Sequence, residues 1–221
     1  SFSYGYDVKT YSENDVTYYE PIDAEIKNGV IFYLGTIITP ENYQNIATQL
    51  ATEGYLVAFP ENLFSYVIYY ISEQETQSIL QKFPNVKFFL AGHSQGGGAA
   101  IKTCKSMDNI YGAILLSPLI YQEDSIAETN LPVLYFEAQN DKVLSDDMKK
   151  EALNCVPEDS EYHYIEGANH MGYSDMTFFF DGECTIGVKN QQDLVAGLIL
   201  EFMQRVINKN ISYQSNGRNF E

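Results

Sequence analysis

The sequence contains no hydrophobic run long enough to cross a membrane and no signal peptide at its start. A membrane-spanning helix needs about 20 consecutive apolar residues, and no segment approaches that length. The chain begins at Ser1 and not at a methionine. We therefore expect that a leader or an anchor was removed, in the cell or by cloning. This expectation favours a location outside the cytoplasm or at the envelope, and a cytoplasmic location stays open.

Positively charged residues are scarce. The chain has 13 Lys and Arg against 30 Asp and Glu, which gives a formal net charge of −17. A surface of this sign repels nucleic acid and anionic membranes alike. The composition therefore argues against nucleic acid and against an anionic membrane surface as partners.

Cysteine is also rare: the chain has three. Their spacing matches neither a zinc site nor a CxxC motif. Cys104 falls on the apolar face of a predicted helix, where it would act as a small buried side chain. Cys155 and Cys184 are left, and whether they form a disulfide stays open. Nothing in the sequence indicates a metal or a cofactor.

What the chain does contain is enough apolar material for one folded domain. Its 221 residues are 45% hydrophobic and 19% charged, which is typical of a globular protein. No repeat, low-complexity tract or linker divides it. We predict a single domain over residues 1–221, with a polar N-terminal extension at 1–14 and a flexible polar tail at 211–221.

Short apolar runs alternate with segments of helical spacing. Strands are predicted at 16–20 (as an edge strand), 29–34, 55–59, 86–91, 111–116, 133–137 and 161–165. Helices are predicted at 41–51, at 72–83 from a capping box of Ser72 and Glu75, after residue 94, at 145–153 and at 191–208. This alternation predicts an α/β fold, a mostly parallel central sheet with helices on both faces. Because only residues 117–132 join two of the strands, we expect a minimal lid or none.

The segment Gly92-His93-Ser94-Gln95-Gly96 joins a predicted strand to a predicted helix. It fits the G-x-S-x-G pattern of a nucleophile elbow, a tight turn that holds a serine in a strained conformation at the carboxyl end of a sheet. Glycine suits both outer positions because a Cβ there would crowd the neighbouring strand and helix. The helix N-terminus favours developing negative charge. We interpret Ser94 as a nucleophile.

A serine nucleophile needs a base, and the chain has three histidines. His93 lies within the elbow, where its side chain would point away from the serine. His163 lies inside the last predicted strand. His170 follows that strand in a loop, which is where the base of this class of fold is found. We therefore predict His170 as the base.

The acid that orients the base should fall between serine and histidine in chain order. Asp141 does so and follows the predicted strand 133–137, so it should reach the same edge of the sheet. Glu137 lies within the strand, and the other competing carboxylates look like solvated loop or helix positions. The competitors are Glu137, Asp124, Asp146 and Asp147. We predict Asp141 as the acid.

Acyl transfer also needs N–H donors for the oxyanion. One should be the backbone N–H of Gln95, which follows the nucleophile. The other should come from the loop after the strand 29–34, from Thr36 or from Ile37. Only backbone atoms are required, so the sequence leaves the choice between these two open.

Apolar and aromatic residues follow two of the predicted strands. Met171, Phe178 and Phe179 come after the histidine, and Tyr66 comes after the strand that ends at residue 59. If both loops reach the carboxyl edge of the sheet, these residues form an apolar, substrate-binding rim suited to a small acyl or aryl ester. The alternative, in which they pack beneath the loops, stays open.

Several segments recur in the same order in a bacterial α/β-hydrolase family of hydrolases and carboxylesterases, which is related to the dienelactone-hydrolase-like group. They are Tyr33-Leu34-Gly35-Thr36, Gly54-Tyr55-Leu56-Val57, Pro60-Glu61-Asn62-Leu63, Gly92-His93-Ser94-Gln95-Gly96-Gly97, Glu166-Gly167-Ala168-Asn169-His170 and Asp181-Gly182-Glu183. The chain resembles this family over about residues 29–192. The resemblance implies an α/β-hydrolase with its residues in the order Ser94, Asp141, His170.

The sequence also departs from the family. Thr36 stands where members usually carry a second glycine, which affects the second oxyanion donor and not the three side chains of the predicted triad. Dienelactone hydrolases use cysteine as the nucleophile, whereas this chain has Ser94. Members often carry an N-terminal membrane anchor, which we do not expect within these residues.

These observations predict a metal-independent serine hydrolase that cleaves small ester substrates through an acyl-enzyme, as a carboxylesterase does. Thioesterase, lactonase and amidase activities use the same machinery and stay open. Since a fold does not fix a function, a binding protein that keeps this fold without turnover is the alternative from another class.

Overall fold

An eight-stranded sheet forms the centre of the chain in the computed structural model, which describes residues 5–61 and 68–216. The strands are β1 (Val8–Glu13), β2 (Val16–Pro21), β3 (Asn28–Tyr33), β4 (Leu56–Pro60), β5 (Lys87–His93), β6 (Ala113–Leu116), β7 (Val133–Ala138) and β8 (Glu161–Ile165). Their order in the sheet is β1-β2-β4-β3-β5-β6-β7-β8. β2 pairs antiparallel with β1 and β4, and every other pairing is parallel.

Helices connect the parallel strands. They are α1 (Gln44–Thr52), α2 (Ile68–Lys82), α3 (Gln95–Ser106), α4 (Asp146–Asn154) and α5 (Val188–Asn216). Short 3-10 turns cover Pro40–Tyr43, Gln122–Asp124 and Met171–Tyr173. The connection 117–132 therefore holds one short turn and builds no lid domain. Within the described ranges, none of the helices combines the length and the hydrophobicity that crossing a bilayer requires.

The two faces of the sheet bury separate apolar layers. Along β3, Val30 and Phe32 point to the layer that also contains residues of α1 and α5. Ile31 and Tyr33 point to the opposite layer, which contains residues of α2, α3 and α4. This alternation follows from the two-residue period of a strand, and each fully buried side chain of this size contributes about 1.5–3 kcal/mol. The predicted α/β fold with helices on both faces is confirmed.

The position of β2 corrects one prediction. Segment 16–20 was expected at the edge of the sheet, but β2 lies between β4 and β1, a strand within the predicted N-terminal extension. β1 is itself the edge strand and is largely exposed, so it shows no apolar alternation. The feature that joins β1 to β2 is the two-residue turn of Asn14 and Asp15, with φ of 51° and 57°. Positive φ at both positions is typical of a type I′ hairpin turn.

Two helices are longer than predicted. α2 begins at Ile68, so the expected start at Ser72 is wrong; residues 68–71 contain no glycine or proline that would stop a helix. α5 extends to Asn216, past the expected end at residue 208 and into the segment predicted as a tail. Gly187, with φ of 85°, lies directly before the first residue of α5. Between Gly197 and Gly217 the sequence contains no glycine or proline that would stop the helix.

All three cysteines carry free thiols, so Cys155 and Cys184 are not paired. The fold separates them. Cys155 belongs to the apolar layer beneath α3 and α4. The Cys184 thiol lies 3.2 Å from Gln191 Oε1, at the start of α5.

Candidate active site

Ser94 occupies a strained turn between β5 and α3. Its φ of 56° and ψ of −122° are rare for a residue with a side chain, and such strain is concentrated at functional sites. A Cβ on Gly92 would lie 2.0 Å from the Gly96 oxygen, and one on Gly96 would lie 2.1 Å from the Tyr33 oxygen. Only glycine therefore allows the close approach of β3, β5 and α3. The turn places Ser94 at the carboxyl end of the sheet.

Asp141 and His170 form a buried hydrogen-bonded pair. Asp141 follows β7 and His170 follows β8, and because these strands are parallel neighbours, their loops meet at one edge. Asp141 Oδ2 lies 2.6 Å from His170 Nδ1, and both side chains are 1% exposed. Asp141 Oδ1 accepts from the N–H groups of Val143 (2.8 Å) and Leu144 (3.0 Å), which fixes the carboxylate toward the imidazole.

The charge of Asp141 is stabilised although the side chain is buried. Burial by itself disfavours the carboxylate and raises its pKa. The hydrogen bond and charge of His170, with the two backbone N–H donors, outweigh burial and hold the pKa of Asp141 below its usual value. The pair therefore keeps a negative charge beside the imidazole at neutral pH.

The competing carboxylates lie elsewhere. Glu137 Oε2 accepts from the Tyr162 hydroxyl at 2.8 Å, on the outer strand. Asp124 lies in a 3-10 turn, and Asp146 and Asp147 lie in the first turn of α4. Among the carboxylates that the sequence offered, the structure brings Asp141 to His170.

His93 links the elbow to the candidate base. Its Nε2 lies 2.8 Å from the His170 carbonyl oxygen, and the two imidazole rings are 5.0 Å apart. A carbonyl only accepts, so His93 Nε2 carries the proton and Nδ1 accepts from the Tyr43 hydroxyl at 2.8 Å. Burial, followed by the charge of His170, lowers the pKa of His93 to about 3. His93 is therefore neutral, and both of its ring nitrogens are hydrogen-bonded, which is a structural role. In the sequence, only its position within the elbow indicated this role.

Tyr43 lies within the segment 41–51 that the sequence predicts as a helix, and its hydroxyl also reaches the loop after β3. The Gly35 N–H donates to it at 3.1 Å. Burial raises the pKa of Tyr43, so the hydroxyl keeps the proton that it donates to His93. A chain of hydrogen bonds thus runs from Gly35 through Tyr43 and His93 to the backbone of His170.

Among the residues that the structure describes, the two central N–H groups of the turn after β3 have no acceptor. Gly35 N–H donates to Tyr43, and the Ile38 N–H donates to the Gly35 carbonyl at 3.2 Å. The N–H groups of Thr36 and Ile37 lie between them. The Thr36 hydroxyl donates to Gln95 Oε1 at 2.6 Å, which brings this turn against the first residue of α3. Ile37 has a φ of 61°, a second strained position at this edge.

The residues predicted to bind substrate occupy different environments. Met171 is 2% exposed and belongs to the apolar layer under α5, and Phe178 packs against that layer. Phe179 is 100% exposed, and its ring lies edge-on to Phe180 at 5.2 Å. Tyr66 lies outside the described residues. Among the described residues of this set, the structure thus does not bring Met171, Phe178 and Phe179 together into one lining.

A groove of about 460 Å³ lies between α2 and α3, away from this edge of the sheet. Its lining includes Thr76, Lys102 and Thr103, and contains none of Ser94, Asp141 and His170. The groove therefore does not belong to the candidate active site, whose chemistry is at the carboxyl ends of β5, β7 and β8.

A mostly parallel sheet with helices on both faces and a strained serine at a strand-to-helix turn defines an α/β-hydrolase. The chain belongs to the alpha/beta hydrolase family, whose model matches residues 29–193, which is 165 of 221 residues. The match runs from β3 into α5 and includes the elbow and the loops after β7 and β8. No curated protein matches the chain. Membership of this family supports hydrolysis as the class of reaction.

Proposed function

We propose that the protein is a serine hydrolase that cleaves small ester substrates through an acyl-enzyme, as carboxylesterases do. The observation that carries the proposal is the buried Asp141–His170 pair, which the elbow reaches where His93, the residue before the strained Ser94, donates to the His170 carbonyl at 2.8 Å. Asp141 occupies Nδ1 of the imidazole, so Nε2 is the nitrogen left to exchange a proton with the serine hydroxyl.

The proposed reaction has two halves. Ser94 Oγ attacks the ester carbonyl while His170 Nε2 takes the hydroxyl proton, and a tetrahedral oxyanion forms. The C–O bond to the alcohol then breaks, and His170 gives its proton to the leaving oxygen. Water attacks the acyl-enzyme in the same way, and the carboxylic acid leaves as Ser94 regains its proton. Asp141 stabilises the imidazolium in each half.

We propose the backbone N–H groups of Gln95 and Thr36 as the oxyanion donors, with Ile37 as the alternative to Thr36. Support comes from the contact of the Thr36 hydroxyl with Gln95 Oε1 at 2.6 Å, which brings the two residues together. N–H groups at the start of α3 also benefit from the positive end of the helix dipole. Removing one such donor typically reduces kcat by about 10²- to 10³-fold.

The substrate is proposed from what surrounds the pair. The loop after His170 presents Phe179 and Phe180 to solvent, and Ile37 is 68% exposed beside the proposed oxyanion donors. Apolar surface of this kind suits a short acyl or aryl group. Because residues 117–132 form no lid domain, turnover should rise smoothly with the concentration of a short-chain ester and show no jump at its solubility limit.

Labelling with a fluorophosphonate probe at neutral pH tests the proposal. The wild-type protein and the control variant Ser160→Ala, at a partly buried serine that bonds to the Pro157 carbonyl, should be labelled, and the Ser94→Ala variant should not. Turnover of p-nitrophenyl esters of varied chain length, beside a thioester, a lactone and an anilide, then identifies the bond cleaved. If folded wild-type protein takes no label at Ser94, the proposed function is wrong and a non-catalytic binding role is favoured.

A further inference from the structure

The segment Asp181-Gly182 lies against both loops that carry the Asp141–His170 pair. Asp181 Oδ2 accepts from the N–H of Met171, the residue directly after His170, at 2.9 Å. Asp181 Oδ1 accepts from the N–H of Lys142, the residue directly after Asp141, at 3.3 Å. One carboxylate therefore joins the two loops immediately beyond the two side chains that must stay in contact.

The neighbours of Asp181 strengthen this connection. The Asn169 amide donates to the Gly182 carbonyl at 2.7 Å, and the Asn140 amide donates to the Glu183 carbonyl at 2.9 Å. A Cβ on Gly182 would lie 1.8 Å from the Asn140 carbonyl oxygen, so glycine is required for this approach. The segment is held from the loop after β7 and from the loop after β8.

We infer that Asp181 is a positioning residue, which holds the loops after β7 and β8 at the separation that the Asp141–His170 hydrogen bond requires. The expected effect of this role on kcat rests on the proposed function, whereas the expected effect on the Asp141–His170 hydrogen bond does not. Displacing a reacting group by about 1 Å can reduce turnover by about 10²-fold, so a carboxylate that never touches the substrate can still control kcat.

The Asp181→Asn variant tests this role because it keeps the size of the side chain and removes one acceptor oxygen. An amide presents an NH₂ group toward one of the backbone N–H donors, so one loop loses its anchor. Asp193→Asn is the matched control. Asp193 also accepts several hydrogen bonds, from Asn45, Gln49 and Lys189, but it lies on α5 away from the pair.

The first measurement is the far-downfield proton resonance of the short His170 Nδ1–Asp141 hydrogen bond, identified by its absence in Asp141→Asn. We expect the resonance to move upfield or disappear in Asp181→Asn and to stay in place in Asp193→Asn. We also expect kcat to fall by about 10- to 100-fold in Asp181→Asn with KM changed little. A merely structural loss of stability would leave the resonance of the folded protein in place.

Asn140→Ala provides a second, milder variant if Asp181→Asn does not fold. It removes only the donor to the Glu183 carbonyl, and we expect a smaller shift of the same resonance. An unchanged resonance in the folded variants overturns the inference, even where Ser94-dependent turnover supports the proposed function. Conversely, a shifted resonance in a protein that hydrolyses no ester supports the positioning role and contradicts the proposed function alone.

Discussion

The two sides of the candidate site are positioned by different physical means. On the β5 side, Ser94 and Ile37 have φ of 56° and 61°, and Gly96 lets the backbone of α3 approach the end of β3. On the β7 and β8 side, Asp141 and His170 are held by hydrogen bonds between side chains and backbone groups from separate loops. The position of the proposed nucleophile depends on backbone shape, and that of the proposed acid–base pair depends on polar contacts.

This difference predicts different weaknesses. The β5 side should respond to changes in backbone freedom and to an added Cβ, because sterics define it. The β7 and β8 side should respond to the loss of one acceptor or donor, because a buried polar group left without its partner is costly. Isosteric substitutions that change only hydrogen bonding separate the two.

The largest effect should come from Asp141→Asn, on the hydrogen-bonded side. The amide cannot hold the imidazole in the tautomer that leaves Nε2 ready to take the Ser94 proton. We expect kcat to fall by about 10⁴-fold, as the loss of the acid does in serine triads. Steady-state turnover of a short-chain ester measures this change.

Glu137→Gln is the control for that variant, because Glu137 lies within β7, four residues before Asp141, and its carboxylate accepts from Tyr162 instead. It should keep near wild-type turnover. If Glu137→Gln abolishes turnover while Asp141→Asn is nearly as active as the wild type, the assignment of the acid is wrong. Loss in neither variant would indicate either that the acid lies elsewhere or that Ser94 and His170 act without a carboxylate.

The same difference explains how much could be predicted from the sequence. The elbow is encoded within five consecutive residues, and Asp141 and His170 each follow a strongly apolar strand, so each could be located from local pattern. The pairing of Asp141 with His170 over Glu137 was predicted from chain position alone, and the contact of 2.6 Å now supports it. The role of each side chain in the reaction remains a proposal.

Contacts between distant segments could not be predicted. The Tyr43 hydroxyl reaches His93 across 50 residues of sequence, and the helical spacing of Tyr43 indicates only a buried side chain. Asp181 contacts Lys142 across 39 residues, and its segment was visible only as part of a family resemblance. Edge strand β1 was missed because exposed strands carry no apolar alternation.

A smaller effect should follow from Tyr43→Phe, at the point where the two sides meet. The variant removes the hydroxyl that accepts from Gly35 N–H and donates to His93 Nδ1. Leaving these buried groups unpaired should cost about 1–3 kcal/mol in the free energy of unfolding. We also expect kcat to fall by about 10-fold, since the turn of the proposed oxyanion donors loses an anchor. Denaturant unfolding and ester turnover measure the two quantities.

Tyr33→Phe is the matched control, because its buried hydroxyl bonds to Thr76 Oγ1 at 2.8 Å on the opposite face of the sheet. It should lose stability without a loss of kcat. Equal losses of kcat in the two variants would show that the Tyr43–His93 connection has no specific role in turnover.

The dependence of stability on pH should also report the hydrogen-bonded side. The pKa of Asp141 is lower in the folded protein than its usual value near 3.8, so the stabilisation is complete above that value and lost as the pH falls through the folded pKa. Between about pH 5 and about pH 3, the free energy of unfolding should fall further in the wild type than in Asp141→Asn. Parallel losses in the two proteins contradict a depressed pKa at this residue.

The smallest effect should come from Ile37→Gly, on the backbone-shaped side. Ile37 is a β-branched residue with a φ of 61°, and its side chain is 68% exposed, so it has strain to lose and little packing. A left-handed conformation costs about 1–2 kcal/mol in a residue with a Cβ, and glycine adds about 0.5–1 kcal/mol of unfolded-chain entropy. The variant should therefore be as stable as the wild type or more stable by up to about 1.5 kcal/mol. Glycine can keep the same backbone conformation, so the proposed oxyanion donors, the N–H of Thr36 or Ile37, should keep their positions. Turnover should then stay within about 3-fold of the wild type.

Ile22→Gly is the control, because Ile22 is a partly exposed isoleucine outside the residues with positive φ, and it should be destabilised. Equal destabilisation of the two variants would show that the Ile37 side chain contributes packing and that the turn after β3 holds no strain.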